Sequence, residues 1–579
     1  MSNVQVLARS FPVSLPSALQ SLHPVLARIY AARGIEDPAD LGRRLSELLP
    51  DQPLKGLDSA VLRLEQALRQ QERMLIIGDF DCDGATSTAL AVLALRMMGA
   101  EQVDYLVPDR FRFGYGLSPE IVMAAQAQQP QLLITVDNGI SSLEGVETAK
   151  RLGMDVIITD HHLPGEQLPQ ACAIVNPNQP GCEFMAKSTC GVGVIFYVMI
   201  ALRRHLQQQG YFIAQQRAVP NLAELLDLVA LGTVADVVAL ERNNRTLVYQ
   251  GLQRIRAGLA RPGILALLEV SGRRREQLVA SDLGFAVAPR LNAAGRLENM
   301  SIGIECLLSE VYEEALEMAQ TLNDLNLERR DIEGSMQQQA QAWLERFSLD
   351  QQDLPWGLCL FEPSWHQGVV GILASRIKER VHRPVIAFAP GEGDEIKGSA
   401  RSIPSLHIRD ALDAIAARHP GLIRKFGGHA MAAGLSLARA DLSAFEQAFD
   451  AEVRRQLDAS ALQRRLLTDG ELHESEMTLE LAQLLRDAGP WGHQFPEPLF
   501  QGRFRILQQR LVGQKHLKLL LAKAQGQQAW DAIAFNIDLQ IWPNPEIEWV
   551  DLVYRLDVNH FRGQTQLQLM VDFLTPSAS

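Results

Sequence analysis

Met74-Leu75-Ile76-Ile77-Gly78-Asp79-Phe80-Asp81-Cys82-Asp83-Gly84 decides how the rest of this chain is read. A short apolar run ends in glycine, three carboxylates follow at alternate positions, and an apolar helical pattern covers 85–98. Such a run, closed by a turn signal, reads as a buried strand. Carboxylates at i, i+2 and i+4 in a tight loop converge, and they repel unless a hard divalent cation neutralises them. A calcium-binding EF-hand loop also opens D-x-D-x-D-G. Here the twelfth position counted from Asp79 is Leu90 rather than glutamate, and a strand precedes, so that reading fails. Capping of the next helix accounts for one aspartate, not three.

Outward from this stretch, further short strands are expected at 103–108, 132–136, 156–159 and 173–175, with helical patterns between most of them. That alternation predicts a parallel, doubly wound sheet, whose ligands bind beyond the carboxyl ends of the strands. Two more strand ends carry suitable side chains: Asp137 after 132–136, and Asp160-His161-His162 after 156–159. Asp236 lies inside the apolar run 231–238, where an uncompensated carboxylate costs several kcal/mol, so a cation is its natural partner. Carboxylates with histidine suit Mg²⁺ or Mn²⁺; an all-Cys/His set would suit zinc.

Helices are expected over 189–209 and 221–238, and a long polar one over 313–347, broken only by Gly334. A second α/β unit follows from about 355 to 457, and 500–572 is rich in short β-type runs that suggest a small antiparallel barrel or sandwich. Residues 1–50 form a proline-punctuated leader in which no chemistry stands out. The 579 residues are 47% apolar and 21% charged, a globular balance spread over several domains. The net charge of -13 excludes a basic DNA-coating protein, though not an enzyme with a locally basic cleft. Six scattered cysteines without a C-x-x-C pair read as reduced thiols. No secretory signal pattern opens the chain, and the strongest apolar stretch, 192–202, is too short to span a bilayer, so a cytoplasmic protein without membrane partners is expected.

The 78–84 loop, the VDNGI segment at 136–140, Asp160-His161-His162 and the GTVADVV segment at 232–238 stand in the order of the signature motifs of the DHH phosphoesterases, and the chain resembles that family. The segments at 290–296 (RLNAAGR), 398–402 (GSARS) and 426–434 (FGGHAMAAG) resemble one branch, the bacterial single-strand-specific DNA exonucleases. The resemblance implies an α/β fold of two α/β domains facing across a cleft, linked by a long helix, plus a C-terminal OB-like β-barrel. The boundaries expected are a leader at 1–50, a DHH catalytic domain at 51–310, a connector helix at 311–350, a DHH-associated domain at 351–458 and an OB-fold-like nucleic-acid-binding domain at 459–579.

It also implies 5′ to 3′ degradation of single-stranded DNA to 5′-mononucleotides in recombination and repair, by two-metal hydrolysis with Mg²⁺ or Mn²⁺. Asp79, Asp81 and Asp137 would hold one metal ion. Asp83, Asp137, His161 and Asp236 would hold the other, with Asp137 bridging. Asp160 would orient a ligand histidine, and His162 would face the scissile phosphate. Arg110, Asn292, Arg296, Ser399, Arg401, Gly427, Gly428 and His429 would bind DNA or its phosphates, the glycines just before a helix start. Of the aromatics available to stack on bases, Phe500, Phe504, Trp530, Phe535 and Tyr554, most at strand spacing are core. Single-strand-binding protein and a recombination helicase are the partners the resemblance implies. The loop at 490–496 departs from the branch, which usually has Gly-Asn where Gln494-Phe495 stands. Two other readings are a DHH phosphoesterase of short oligonucleotides or small phosphoanhydrides, and a non-enzymatic scaffold. The first is disfavoured by chain length and the C-terminal β module, the second by the full set of ligand carboxylates.

Overall fold

Strands buried on both faces need apolar side chains at every position, and the short runs around the aspartates supply them. The computed structural model describes residues 4–12, 14–108, 116–344, 354–524, 526, 528–561 and 563–577. β1 (Met74–Ile77), β2 (Val103–Leu106), β3 (Leu132–Val136), β4 (Asp155–Thr159) and β5 (Ala173–Val175) form one parallel sheet in the order β2-β1-β3-β4-β5. Every residue of β1 and β3 is buried. The strand order reverses between β1 and β3, which makes their carboxyl ends the topological switch point. Asp79 and Asp81 follow β1, and Asp137 follows β3.

Three helices frame that edge: α1 (Cys82–Met97), α2 (Gly191–Gln208) and α3 (Leu226–Ala235). α1 packs against both others and is buried all round from Cys82 to Val92. α4 (Ala288–Leu297) carries the RLNAAGR segment. α5 (Tyr312–Leu344) runs unbroken through Gly334, because a single glycine costs a long helix only about 1 kcal/mol. The last residues expected in it, 345–347, lie outside the described residues.

The chain divides into two compact units, one of Met1–Leu7 and Asp324–Leu467, the other of Ala8–Asn323 and Thr468–Ser579. The first holds a mixed sheet of β6 (Leu358–Phe361), β7 (Val385–Pro390), β8 (Glu395–Arg401), β9 (Lys425–Gly428) and β10 (Ala432–Ala438), in the order β9-β10-β8-β7-β6. Only β6 and β7 run parallel. Phe388, Phe445 and Phe449 fill its core. The helix expected after Gly427-Gly428 is not there. β9 turns back into β10 instead, and Gly428 at φ 144° makes the turn possible, since a Cβ on it would lie 2.5 Å from the Ala433 Cα.

In the other unit the chain ends in a closed barrel of β11 (Phe500–Val512), β12 (His516–Ala522), β13 (Ala529–Ala534), β14 (Trp549–Phe561) and β15 (Gln564–Ser577). The ring order is β11-β12-β13-β15-β14, with β13 and β15 parallel and the other pairs antiparallel. Phe500, Phe504, Trp530 and Tyr554 fill its interior, leaving Phe535, 49% exposed, as the one of the five offered rings at the surface.

The leader is tied down firmly. Arg33 donates from both terminal nitrogens to Asp469, at 2.7 and 3.0 Å, and the pair is almost fully buried. Tyr30 donates to the Ala488 carbonyl and packs on Trp491 and Phe495. Gln494 has a left-handed φ of 57°, a conformation that glycine adopts without strain. The departure is accommodated by burying Phe495 under the Arg245 guanidinium, 4.2 Å away. No helix among the described residues is long and apolar enough to cross a membrane.

Candidate metal centre

The carboxyl edge of the parallel sheet gathers its polar side chains through backbone geometry. After β1 the loop turns so that Asp81 caps α1, its Oδ1 accepting from the Gly84 N–H at 3.0 Å. After β3, Asp137 adopts φ 63°, a left-handed conformation that aspartate tolerates better than most residues and that clusters at functional sites. Asn138 holds the two strand ends together, donating to the carbonyls of Ile77 and Val136 at 3.0 and 2.9 Å. After β4, Asp160 accepts from the N–H groups of His161, His162 and Ile140 and contacts His162 Nδ1 at 2.7 Å.

Three groups of ligand atoms result, each with all its atoms within 4.8 Å of one another: Asp79, Asp81 and Asp137; Asp83, His161 and Asp236; Asp137, His161 and His162. His161 Nε2 lies 3.0 Å from Asp137, 3.5 Å from Asp236 and 4.0 Å from Asp83. Asp83 is oriented by the first N–H groups of α2, from Gly191 at 2.7 Å and Val192 at 2.9 Å, where the helix dipole favours a negative charge.

Electrostatically this edge carries excess negative charge. Burial raises the Asp83 carboxyl to about 7, with Asp81 adding to the effect against the pull of the α2 N–H groups. Burial, then the neighbouring carboxylates, pushes Asp137 and Asp236 well above the usual carboxylate range. Asp160 goes the other way: burial opposes its charge, but the bond and charge of His162 outweigh it. Burial likewise opposes protonation of His162, and Asp160 overcomes it, raising the imidazole to about 9. Burial, then Asp81 and Asp83, drives the Cys82 thiol far up, which keeps sulfur protonated and out of the donor set. Oxygen donors with one or two imidazoles, crowded enough to resist ionisation alone, fit hard divalent ions.

Asp79, Asp81, Asp83, Asp137, Asp160, His161, His162 and Asp236 are thus brought to one place. Asp236, expected within a helix, stands at the C-terminal end of α3, which frees its carboxylate to turn toward His161. The Asn292 oxygen accepts from the Cys82 N–H at 2.8 Å and steadies the start of α1. Gly295, on the same helix as Arg296, lets α4 press on the aspartate loop, where a Cβ would overlap the Phe80 carbonyl oxygen at 1.7 Å. Gly191 and Val192 were not singled out from the sequence, and Asn138 and Ile140 stood there only as members of the VDNGI segment. The Gly191 and Val192 contribution was signalled only by a glycine-rich start to the α2 pattern.

Ser399, Arg401, Gly427, Gly428 and His429 belong to the other unit. There β8, β10 and β9 adjoin, and Arg401 donates to Ser399 Oγ at 3.0 Å. Arg110 lies outside the described residues.

A parallel sheet whose switch point bears these carboxylates and histidines defines a member of the DHH class. The DHH family N-terminal domain matches residues 73–233, the DHHA1 domain 356–455 and the RecJ OB domain 468–572. The single-stranded-DNA-specific exonuclease RecJ of Escherichia coli is 56% identical over 555 residues, covering 96% of both chains. That of Bacillus subtilis is 33% identical over 569 residues, 96% of this chain and 68% of its own. The crystal structure of Thermus thermophilus RecJ in complex with Mn²⁺ superposes with a TM-score of 0.80 at 30% identity, covering all of this chain and 80% of that one. The chain belongs to the RecJ family.

Proposed function

We propose that this protein is a single-stranded-DNA exonuclease that degrades 5′ to 3′ to 5′-mononucleotides, in recombination and repair, using two divalent ions. The observation that carries the reading is the convergence of five carboxylates and a histidine at one sheet edge. The names of its relatives and the Mn²⁺ and Mg²⁺ complexes of the Thermus protein support it. Asp79, Asp81 and Asp137 would hold one ion; Asp83, Asp137, His161 and Asp236 would hold the other. When bound, such ions acidify a water and neutralise charge at a phosphate.

The protein's own groups do the rest. Asp160 fixes both histidines by accepting from their N–H groups and from His162 Nδ1, which turns His162 Nε2 outward. His162, its Nδ1 bonded to Asp160, would face the scissile phosphate and carry a proton there. Arg296 and Arg110 would contact DNA phosphates. Ser399 and Arg401, with the Gly427-Gly428-His429 turn, would hold the terminal phosphate or backbone on the DHH-associated domain. The OB-fold barrel would bind the strand further along.

The test is to label either end of single- and double-stranded DNA and follow product size with Mg²⁺, Mn²⁺ or EDTA. Mononucleotides released from the 5′ end of single strands alone, only with metal, are expected. Release from the 3′ end would overturn the polarity. Preference for dinucleotides over long strands would favour the small-substrate reading.

A further inference from the structure

Two local irregularities meet near the C-terminal end of α3. Val237 follows Asp236 directly and adopts φ 59°, a costly conformation for a β-branched residue, and it is 63% exposed. Phe285 sits in a π-helical turn, Leu283–Val287, and is 85% exposed, the most exposed phenylalanine among the described residues. π-turns inside helices are frequent at functional sites. Both residues line one cavity of about 400 Å³, walled on the far side by the 489–497 loop. That size falls within the range of small-ligand sites.

A second cavity, of about 530 Å³, shares Val279, Ser281, Arg486, Trp491 and Glu497 with it. The first is mainly apolar, with Arg256 at its wall; the second is polar, with Arg273, Arg274 and Arg555 among its lining. Some of these cations are matched locally, Arg273 by Asp282 and Arg555 by Glu497 and Asp572. Arg256 and Arg486 donate to the backbone carbonyls of Leu278 and Gln277, and Asp487, which lines the same cavity, lies within electrostatic reach of Arg256. Trp491 is no stacking platform: Phe495 stacks on it at 5.1 Å, Arg33 lies over it at 5.3 Å, and its N–H is taken by the Leu485 carbonyl. Phe285 has an open face.

We propose that this groove is a track for the single strand next to the metal centre, with one nucleobase stacked on Phe285 against Val237 and phosphates facing Arg256 and Arg486. The occupant is a DNA strand because the groove begins at the residue after Asp236, a proposed metal ligand, offers the exposed Phe285 ring to a base, and sets arginines beside it. Phe285 would be a positioning residue, not a catalytic one. The inference rests on the exonuclease reading.

The experiment uses the full chain, 5′-phosphorylated oligothymidylates and a series of the same strands with a single abasic residue moved along from the 5′ end. Affinity is read by anisotropy in EDTA, and KM and kcat with Mn²⁺. For the unsubstituted protein, one abasic position should weaken binding about fivefold or more, the scale of one stacked base. Phe285→Ala should raise Kd and KM by a similar factor, leave kcat within about twofold, and abolish sensitivity at that position alone; Phe285→Trp should restore both. The residue is exposed, and an unchanged melting temperature checks the fold. If Phe285→Ala binds as well as the parent and keeps the same abasic profile, the groove has another occupant, a peptide for example, and the inference falls while the exonuclease reading stands. If the parent itself neither binds nor degrades single strands, both fall together.

Discussion

The parallel sheet and the closed barrel belong to the same compact unit, yet they use their side chains in opposite ways. The open sheet has a free carboxyl edge, where its strands stop and the chain must turn. Polar groups collect there, while α1 and α2 pack against the strands. The barrel has no such edge. Closing five strands leaves a narrow interior that must be filled with side chains, so Phe500, Phe504, Trp530 and Tyr554 turn inward at 3% exposure or less. An open sheet therefore concentrates chemistry at one rim, whereas a small barrel spends its large residues on its own stability.

This contrast can be broken by substitution. Asp137→Ala removes the carboxylate common to two ligand groups and should lower kcat by more than about a hundredfold, beyond the effect typical of an outer-sphere partner. The melting curve should change little, and retention of near-normal turnover at saturating Mn²⁺ would sink the bridging assignment. Phe504→Ala should do the reverse. Its ring is fully buried, so the loss should be about 3–5 kcal/mol of stability in denaturant unfolding, while metal binding by the remaining folded protein persists. A mutant as stable as the parent would mean that the barrel tolerates a void.

Asp160→Asn tests how far the sheet edge depends on orientation. It cannot hold His162 as Asp160 does, and a drop in activity of about 10- to 100-fold is expected. The pH profile should move as well. His162 is raised to about 9 by Asp160, so in the mutant its protonated form should be lost at lower pH. An unmoved profile would separate His162 from the rate.

The smallest effect serves as a control in the other unit. Arg455, with Gln456 and Arg418, lowers the buried Glu452 to about 2 against the effect of burial. A depressed carboxyl stabilises the fold above its unfolded-state value and loses that contribution as pH falls from about 4.5 toward 2. Glu452→Gln should therefore be less stable than the parent at pH 7, and the gap should close in acid. A gap that widens in acid would contradict the assignment.

The candidate metal edge was largely legible because each of its residues follows a short apolar run, and strand ends of one parallel sheet converge by construction. Asp79, Asp81, Asp83, Asp137, Asp160, His161 and His162 could be placed by that rule alone. The Gly427-Gly428 turn was misjudged because glycine serves a helix start and a hairpin equally well. Hydrogen bonding from β9 to β10, a long-range property, chose between them. The leader looked inert because its partners, Asp469, Ala488 and Trp491, lie more than 400 residues away in the chain.

The sequence by itself determined the strand-end carboxylates, the alternation that builds a parallel sheet, and the β-rich character of the C-terminal segment, since each depends on local pattern. Only the tertiary structure decided that the α2 N-terminus binds Asp83 and that Asn292 steadies the aspartate loop. Those outcomes depend on which distant backbone groups come within 3 Å, and no periodicity along the chain encodes that.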